Sequence, residues 1–255
     1  MVRLLPALLA GVLASGCAHM ATLRPAPKGE LEVDLSVGGP MLKLSNAPIP
    51  APLSAVGVRY GVHDRADVQV HFHPTAAVLG VLGLDVGSSL LVISGEGALP
   101  DVTATGRFFG FTDFKEFRPY LQLGAVASWR LFNRIAPYIG FDGLVQFGAA
   151  PLVAIAAGLQ GIFGRFTAQL EAKWFGLGHD TRFMVVDWVS PGSGAIGIMF
   201  GFGYRFDLEG KDKAPAPAPA PAPAAEPKPA DPPQADSRPA EDPPVPAPAP
   251  VEGSK

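Results

Sequence analysis

The stretch 165–174, RFTAQLEAKW, alternates without a break. Phe166, Ala168, Leu170, Ala172 and Trp174 fall on one side; Arg165, Thr167, Gln169, Glu171 and Lys173 fall on the other. A period of two places successive side chains on opposite faces of an extended strand. The strand therefore needs an apolar neighbour on one side and a polar one on the other. The device recurs along the chain. Val33, Leu35 and Val37 oppose Glu32, Asp34 and Ser36, and Val68, Val70 and Phe72 oppose Asp67, Gln69, His71 and His73. In 119–129, Leu121, Leu123, Ala125, Ala127 and Trp129 oppose Gln122, Gly124 and Ser128. In 137–148, Ile139, Phe141, Val145 and Phe147 oppose Gly140, Asp142 and Gln146. The segment 194–206, GAIGIMFGFGYRF, carries Ile196, Ile198, Phe200, Phe202, Tyr204 and Phe206 at alternate positions, with mostly glycine between them.

Such segments lie at about 30–38, 53–61, 66–73, 79–93, 99–109, 118–130, 136–148, 151–163, 165–175 and 194–206. Short connections (62–65, 94–98, 131–135, 164) tend to alternate with longer ones, chiefly 39–52 and 176–193. The pattern predicts an all-β, antiparallel, up-and-down transmembrane barrel of about ten strands, with eight as the alternative count. Two features favour lipid, and not a second sheet, as the apolar neighbour. The polar faces carry charges of both signs: Glu32, Asp34, Arg59, Asp67, Asp85, Asp101, Arg107, Asp142, Arg165, Glu171, Lys173 and Arg205. These suit a narrow lumen crossed by ion pairs. Aromatic residues gather at strand ends, at Tyr60, Tyr120, Trp129, Tyr138, Trp174, Tyr204 and Phe206, as in a girdle at headgroup depth. In hydrocarbon every backbone polar group must be paired internally, so strands span only as a closed barrel. Alternation alone leaves the inverse arrangement open: a soluble barrel resembling a lipocalin, anchored by an acyl chain and holding an apolar ligand.

The two ends differ from this middle. Residues 1–17 read as an export signal: Arg3 precedes the apolar run Leu4 to Leu13, and small residues follow. LASGC, ending at Cys17, resembles the bacterial lipobox, which implies acylation of that cysteine. Cleavage after Ala18 by the ordinary signal peptidase is the alternative. Cys17 is the only cysteine, so the chain can form no internal disulfide and no thiolate cluster. Residues 18–29 read as a linker. From 207 onward the chain reads as a disordered tail. Fifteen of the 28 prolines lie past residue 210, where no aromatic residue occurs. Its Ala-Pro repeats favour polyproline II, and about 42 such residues reach on the order of 130 Å. The tail reads as a spacer arm, with contact to periplasmic components or peptidoglycan as its functional use.

Sites for chemistry are sparse. His71 and His73 share a strand face near His63 and Asp64, but no third ligand is indicated by the spacing. They are read as lumenal histidines bonded to carboxylates, with no metal and no cofactor. His179, with Ser190 or Ser193, is the one candidate set for a lipid-modifying enzyme in the long loop, and its spacing has nothing to commend it. No nucleophile-elbow, zincin, Walker or dinucleotide pattern occurs, so no catalytic residue is assigned. A net charge of −3 gives no basic excess for nucleic acid.

The segment 194–206 resembles the terminal strand by which outer-membrane barrels are recognised by their assembly machinery. The layout of small barrel followed by Ala-Pro-rich segment is similar to the OmpA family. The resemblance implies an outer-membrane location, membrane lipid and the assembly machinery as partners, a monomer, and a periplasmic N-terminus and tail. The expected role is structural, adhesive or protective, and not bulk transport.

Overall fold

The computed structural model describes residues 19–44, 47–132, 134–146, 151–178 and 189–208. All of them belong to one compact unit. Cys17, His179, the loop residues 179–188 and the tail from 209 lie outside the described residues.

Among the described residues eleven strands form, in chain order: β1 (Glu30–Leu44), β2 (Ala47–Pro50), β3 (Leu53–His63), β4 (Ala66–Phe72), β5 (Leu82–Ile93) and β6 (Asp101–Thr112), then β7 (Phe117–Ser128), β8 (Ile135–Gln146), β9 (Leu152–Phe163), β10 (Phe166–Phe175) and β11 (Ala195–Asp207). Each pairs antiparallel with its neighbour, and β11 returns to β1, so ten of them close a barrel. The closing seam runs from Glu30↔Asp207 to Pro40↔Gly197. Nine of the ten barrel strands hold 10 to 15 residues. Strands of about 10 residues, tilted, are what a bilayer's hydrocarbon thickness requires.

β2 is outside the ring and pairs only with the far end of β1, from Met41↔Pro50 to Leu44↔Ala47. Residues 41–44 and 47–50 thus extend the barrel wall as a paired ribbon, where the sequence suggested a long connection. Gly38 permits the departure: its φ is +132°, and a side chain there would strike the backbone of Ile198. The prolines Pro48 and Pro50 sit on a free edge, where a missing donor costs nothing.

The connection after β4 is also more ordered than its length suggested. Pro74 opens a short helix, α1 (Pro74–Val78), at the position where a proline's missing N–H is harmless. Ala76 and Val81 pack against Phe109, Phe111 and Tyr120, so the helix leans over one mouth of the barrel. At that mouth lie the connections after β1, β4, β6, β8 and β10, including the longest, 176–194, which makes it the long-loop mouth. The other, short-turn mouth holds the connections after β3, β5, β7 and β9, among them the two-residue turns 64–65 and 164–165, with Glu30 and Asp207. The turn Gly164–Arg165 shows why glycine is placed there: Phe163 pairs with Phe166, and only Gly164 takes a positive φ, +67°. On the long-loop side, the Asp113 carboxylate accepts the backbone N–H groups of Glu116 and Lys115, which hold its pKa below the usual range.

The two faces are sorted strictly. Val33, Leu35, Val58, Val70, Val86, Leu123, Phe141, Leu159, Leu170, Phe200 and Phe202 are all exposed. Glu32, Asp67, Gln69, His71, Asp85, Arg107, Gln122, Glu171 and Lys173 are all buried. Apolar surface outside and charge inside is the reverse of a water-soluble domain, and it overturns the lipocalin-like alternative, whose apolar residues would point inward.

Candidate functional site in the barrel lumen

The lumen does not hold wall side chains alone. Residues 19–28, read from sequence as part of a linker, thread its interior, with His19 near the long-loop mouth and Lys28 near the short-turn mouth. Lys28 bridges to Gly61, and the Ala26 N–H donates to Asp67 at 2.8 Å. Arg24 grips Asp101 with two nitrogens, at 2.6 and 2.7 Å. Higher up, Thr103 donates to the Leu23 carbonyl at 2.7 Å and Arg107 donates to the Thr22 hydroxyl at 2.9 Å. The Ala21 N–H donates to Glu171 at 2.9 Å, and its carbonyl accepts from Gln169 at 3.0 Å. At the top, His19 Nε2 lies 2.7 Å from Asp85, and the His19 carbonyl accepts from Lys173.

Chain that is neither helix nor sheet is tolerated at membrane depth only where protein or lumen water satisfies its backbone. Here the wall supplies that service. Backbone groups of His19, Ala21, Leu23, Arg24 and Ala26 all bond to lumenal side chains. Pro25 and Pro27 lack an N–H and remove two donors that would need partners. The glycines of the wall make the room. A side chain on Gly61 would collide with the Pro27 carbonyl, and one on Gly201 would collide with the Met20 sulfur.

Around this segment the lumen divides into two chemistries. Near the turns, Arg59 pairs with Glu32 and lies 3.5 Å from Asp34 and 3.7 Å from Asp67. Arg130 supports Asp101 beside Arg24. Arg205 stands 4.0 Å from both Glu30 and Glu32. In the middle, Tyr138 donates to Glu171 at 2.8 Å, and Lys173 pairs with Asp142 at 2.5 Å. Near the long loops, three imidazoles meet one carboxylate: His19 and His73 at Oδ2 of Asp85, and His71 at Oδ1. Phe109 packs on His19 and His73. A cavity of about 540 Å³ remains between segment and wall, reaching Arg24, Asp34, Arg59, His19 and His71 among others.

Of the residues expected in the lumen, Glu32, Asp34, Arg59, Asp67, Asp85, Arg107, Asp142, Glu171, Lys173 and Arg205 belong to this inward network. Arg165 does not: it occupies the exposed turn after Gly164. Two expected interface aromatics also fall elsewhere. Tyr120 and Tyr138 are buried, 3% and 2% exposed, and face inward. Strand parity explains both, since each alternates with outward Leu121 or Ile139, so proximity to a strand end was the wrong guide. Tyr60, Tyr204 and Phe206 are exposed near the short-turn mouth, joined there by Phe163 and Phe166. Trp129 and Trp174 are half-buried, and Trp174 donates to the Ser193 carbonyl.

A closed sheet, a lipid-compatible exterior and an ionic interior define the fold of an outer-membrane β-barrel. No protein-family model matches the sequence, and comparison with curated proteins gives no match. Solved barrels overlap only in part. One is an outer-membrane channel from Pseudomonas putida F1, with 10% identity over 74% of this chain and 99% of that one, at a TM-score of 0.40. Another is the translocator domain of the autotransporter NalP from Neisseria meningitidis, with 12% identity over 78% and 94%, at 0.37. A third is the outer-membrane protease OmpT from Escherichia coli, with 9% identity over 74% and 100%, at 0.36. Overlaps this partial carry no argument about activity, and no subfamily is singled out.

Proposed function

We propose that this chain is an outer-membrane barrel stoppered by its own N-terminal segment, with a structural, adhesive or protective role and no enzymatic or bulk-transport activity. The observation that carries the reading is the hydrogen-bonding of the backbone between His19 and Ala26 to lumenal side chains. A barrel of ten strands is little wider than its own interior side chains need, and this one also holds a ten-residue length of chain. In this reading the short turns face the periplasm, the chain acts as a monomer, and the strand 194–206 presents it to the assembly machinery. The Ala-Pro tail extends into the periplasm toward peptidoglycan.

Electrical recording tests the stopper. Full-length chain folded into planar bilayers is expected to stay silent, while the full-length chain lacking only residues 19–28 is expected to conduct. A mobility shift on boiling in SDS verifies that both are folded barrels. Steady conductance by the intact chain, or silence of the folded deletion variant, sinks the proposal.

A further inference from the structure

The three imidazoles around Asp85 come from three separate places: His19 from the lumenal segment, and His71 and His73 from the end of β4 and the residue after it. Asp85 itself is the cross-strand partner of His71. We propose that His19, His71 and Asp85 form a binding site for a divalent transition-metal ion of the zinc class, which clamps the N-terminal segment to the barrel wall.

One donor atom from each of the three lies within 4.8 Å of the others. Nε2 of His19 is 2.7 Å, and Nδ1 of His71 3.1 Å, from the Asp85 oxygens. Neighbouring ligands of a tetrahedral zinc stand about 3.3 Å apart, given bonds of about 2.0–2.1 Å, so the two contacts to Asp85 already lie near that spacing, and the widest separation, at most 4.8 Å, closes by about 1.5 Å when the ion binds. Two imidazoles and one carboxylate select a zinc-like ion over calcium or magnesium, which prefer all-oxygen shells.

The surroundings are those a metal site uses. Nε2 of His71 faces Asp34 at 3.2 Å. A proton on that nitrogen is held by the carboxylate, which leaves the Nδ1 lone pair for the ion and fixes the ring's orientation. Nε2 of His73 lies 3.0 Å from Oδ2 of Asp85 and orients that carboxylate in the same way. His73 is fully buried, and its other nitrogen has no hydrogen-bond partner among the described residues. The ion has a path in, because the lumenal cavity is lined by both His19 and His71. Without metal, the contacts of His19 and His71 to Asp85 each hold a proton; a bound ion replaces those two protons and joins the segment to two strands.

The inference needs the segment docked in the lumen but not that the barrel be silent, so metal binding and conductance fail independently. The test uses full-length protein, folded in detergent, stripped with chelator and titrated with cobalt, with zinc counted by elemental analysis. The expected result is one ion per chain and a visible cobalt band of tetrahedral intensity. His71→Ala and Asp85→Asn are expected to abolish the band, and Asp34→Asn to weaken binding about 10–100-fold. His19→Ala lies outside the strands, so the barrel keeps its heat-shifted band on gels while the cobalt signal is lost. His63→Ala, exposed at the end of β3, is expected to change nothing. Folded wild-type protein that takes up no cobalt or zinc overturns the assignment. So does uptake that survives His19→Ala and His71→Ala.

Discussion

The lumen's two ends solve one problem by different chemistry. Both must bury charge beside the N-terminal segment. At the short-turn end the cations are guanidinium groups, Arg24, Arg59, Arg130 and Arg205, set against Glu30, Glu32, Asp34, Asp67 and Asp101. Arginine does not give up its proton, so each of these carboxylates has a permanent counter-charge. At the long-loop end the same service falls to imidazoles under an aromatic and aliphatic roof of Phe109, Phe111, Tyr120, Ala76 and Val81. Imidazole can be neutral, charged or metal-bound, and the choice depends on what stands beside it. The turn end is therefore a fixed fastening. The loop end is an adjustable one.

The comparison breaks first at Arg59. Replacing it with methionine leaves Glu32, Asp34 and Asp67 facing one another without their shared cation. Loss of one partner from a buried ion network costs about 3–5 kcal/mol. Urea unfolding of the barrel in lipid vesicles, followed by the fluorescence of Trp129 and Trp174, reads that loss. Asp85→Asn is expected to cost less in metal-free protein, about 1–3 kcal/mol, because imidazoles that lose their carboxylate can remain neutral and forfeit only hydrogen bonds. If Asp85→Asn proves as damaging as Arg59→Met, the loop end carries fixed charge too and the contrast is void. Arg24→Ala sharpens the picture at the small end of the scale. Its side chain is 38% exposed, and Arg130 still stands 3.4 Å from Asp101. The expected cost is about 1 kcal/mol or less, shrinking further as salt is added.

Parity made much of this legible beforehand. Glu32, Asp67, Glu171 and Lys173 each sit one residue from an outward apolar partner, and a strict period of two leaves their direction no freedom. The same rule places Tyr138 inward, beside outward Ile139, although its position near a strand end suggests a membrane girdle. The candidate site was less legible. His71 and His73 stand out as a pair two residues apart, yet the third imidazole is His19, 52 positions earlier in a stretch without periodicity. A hint was available in the wall, where, of the glycines at 57, 61, 201 and 203, the second and third open space that no wall side chain fills. Those glycines accommodate the His71 ring, Pro27, Met20 and Glu32 in turn.

The amino-acid sequence by itself determined where the strands lie and how each sorts into an apolar and a polar face, because these follow from a local repeat that every neighbouring pair must respect; that ten of them close the ring with the apolar face outward is decided by the structure. Only the tertiary structure decided what fills the interior. Closing the ring brings together residues 19, 71 and 85, or 24 and 101, or 21 and 171, and no local period connects them. They meet because a segment with little periodicity finds, inside a cylinder of fixed register, the donors and acceptors that water cannot supply there.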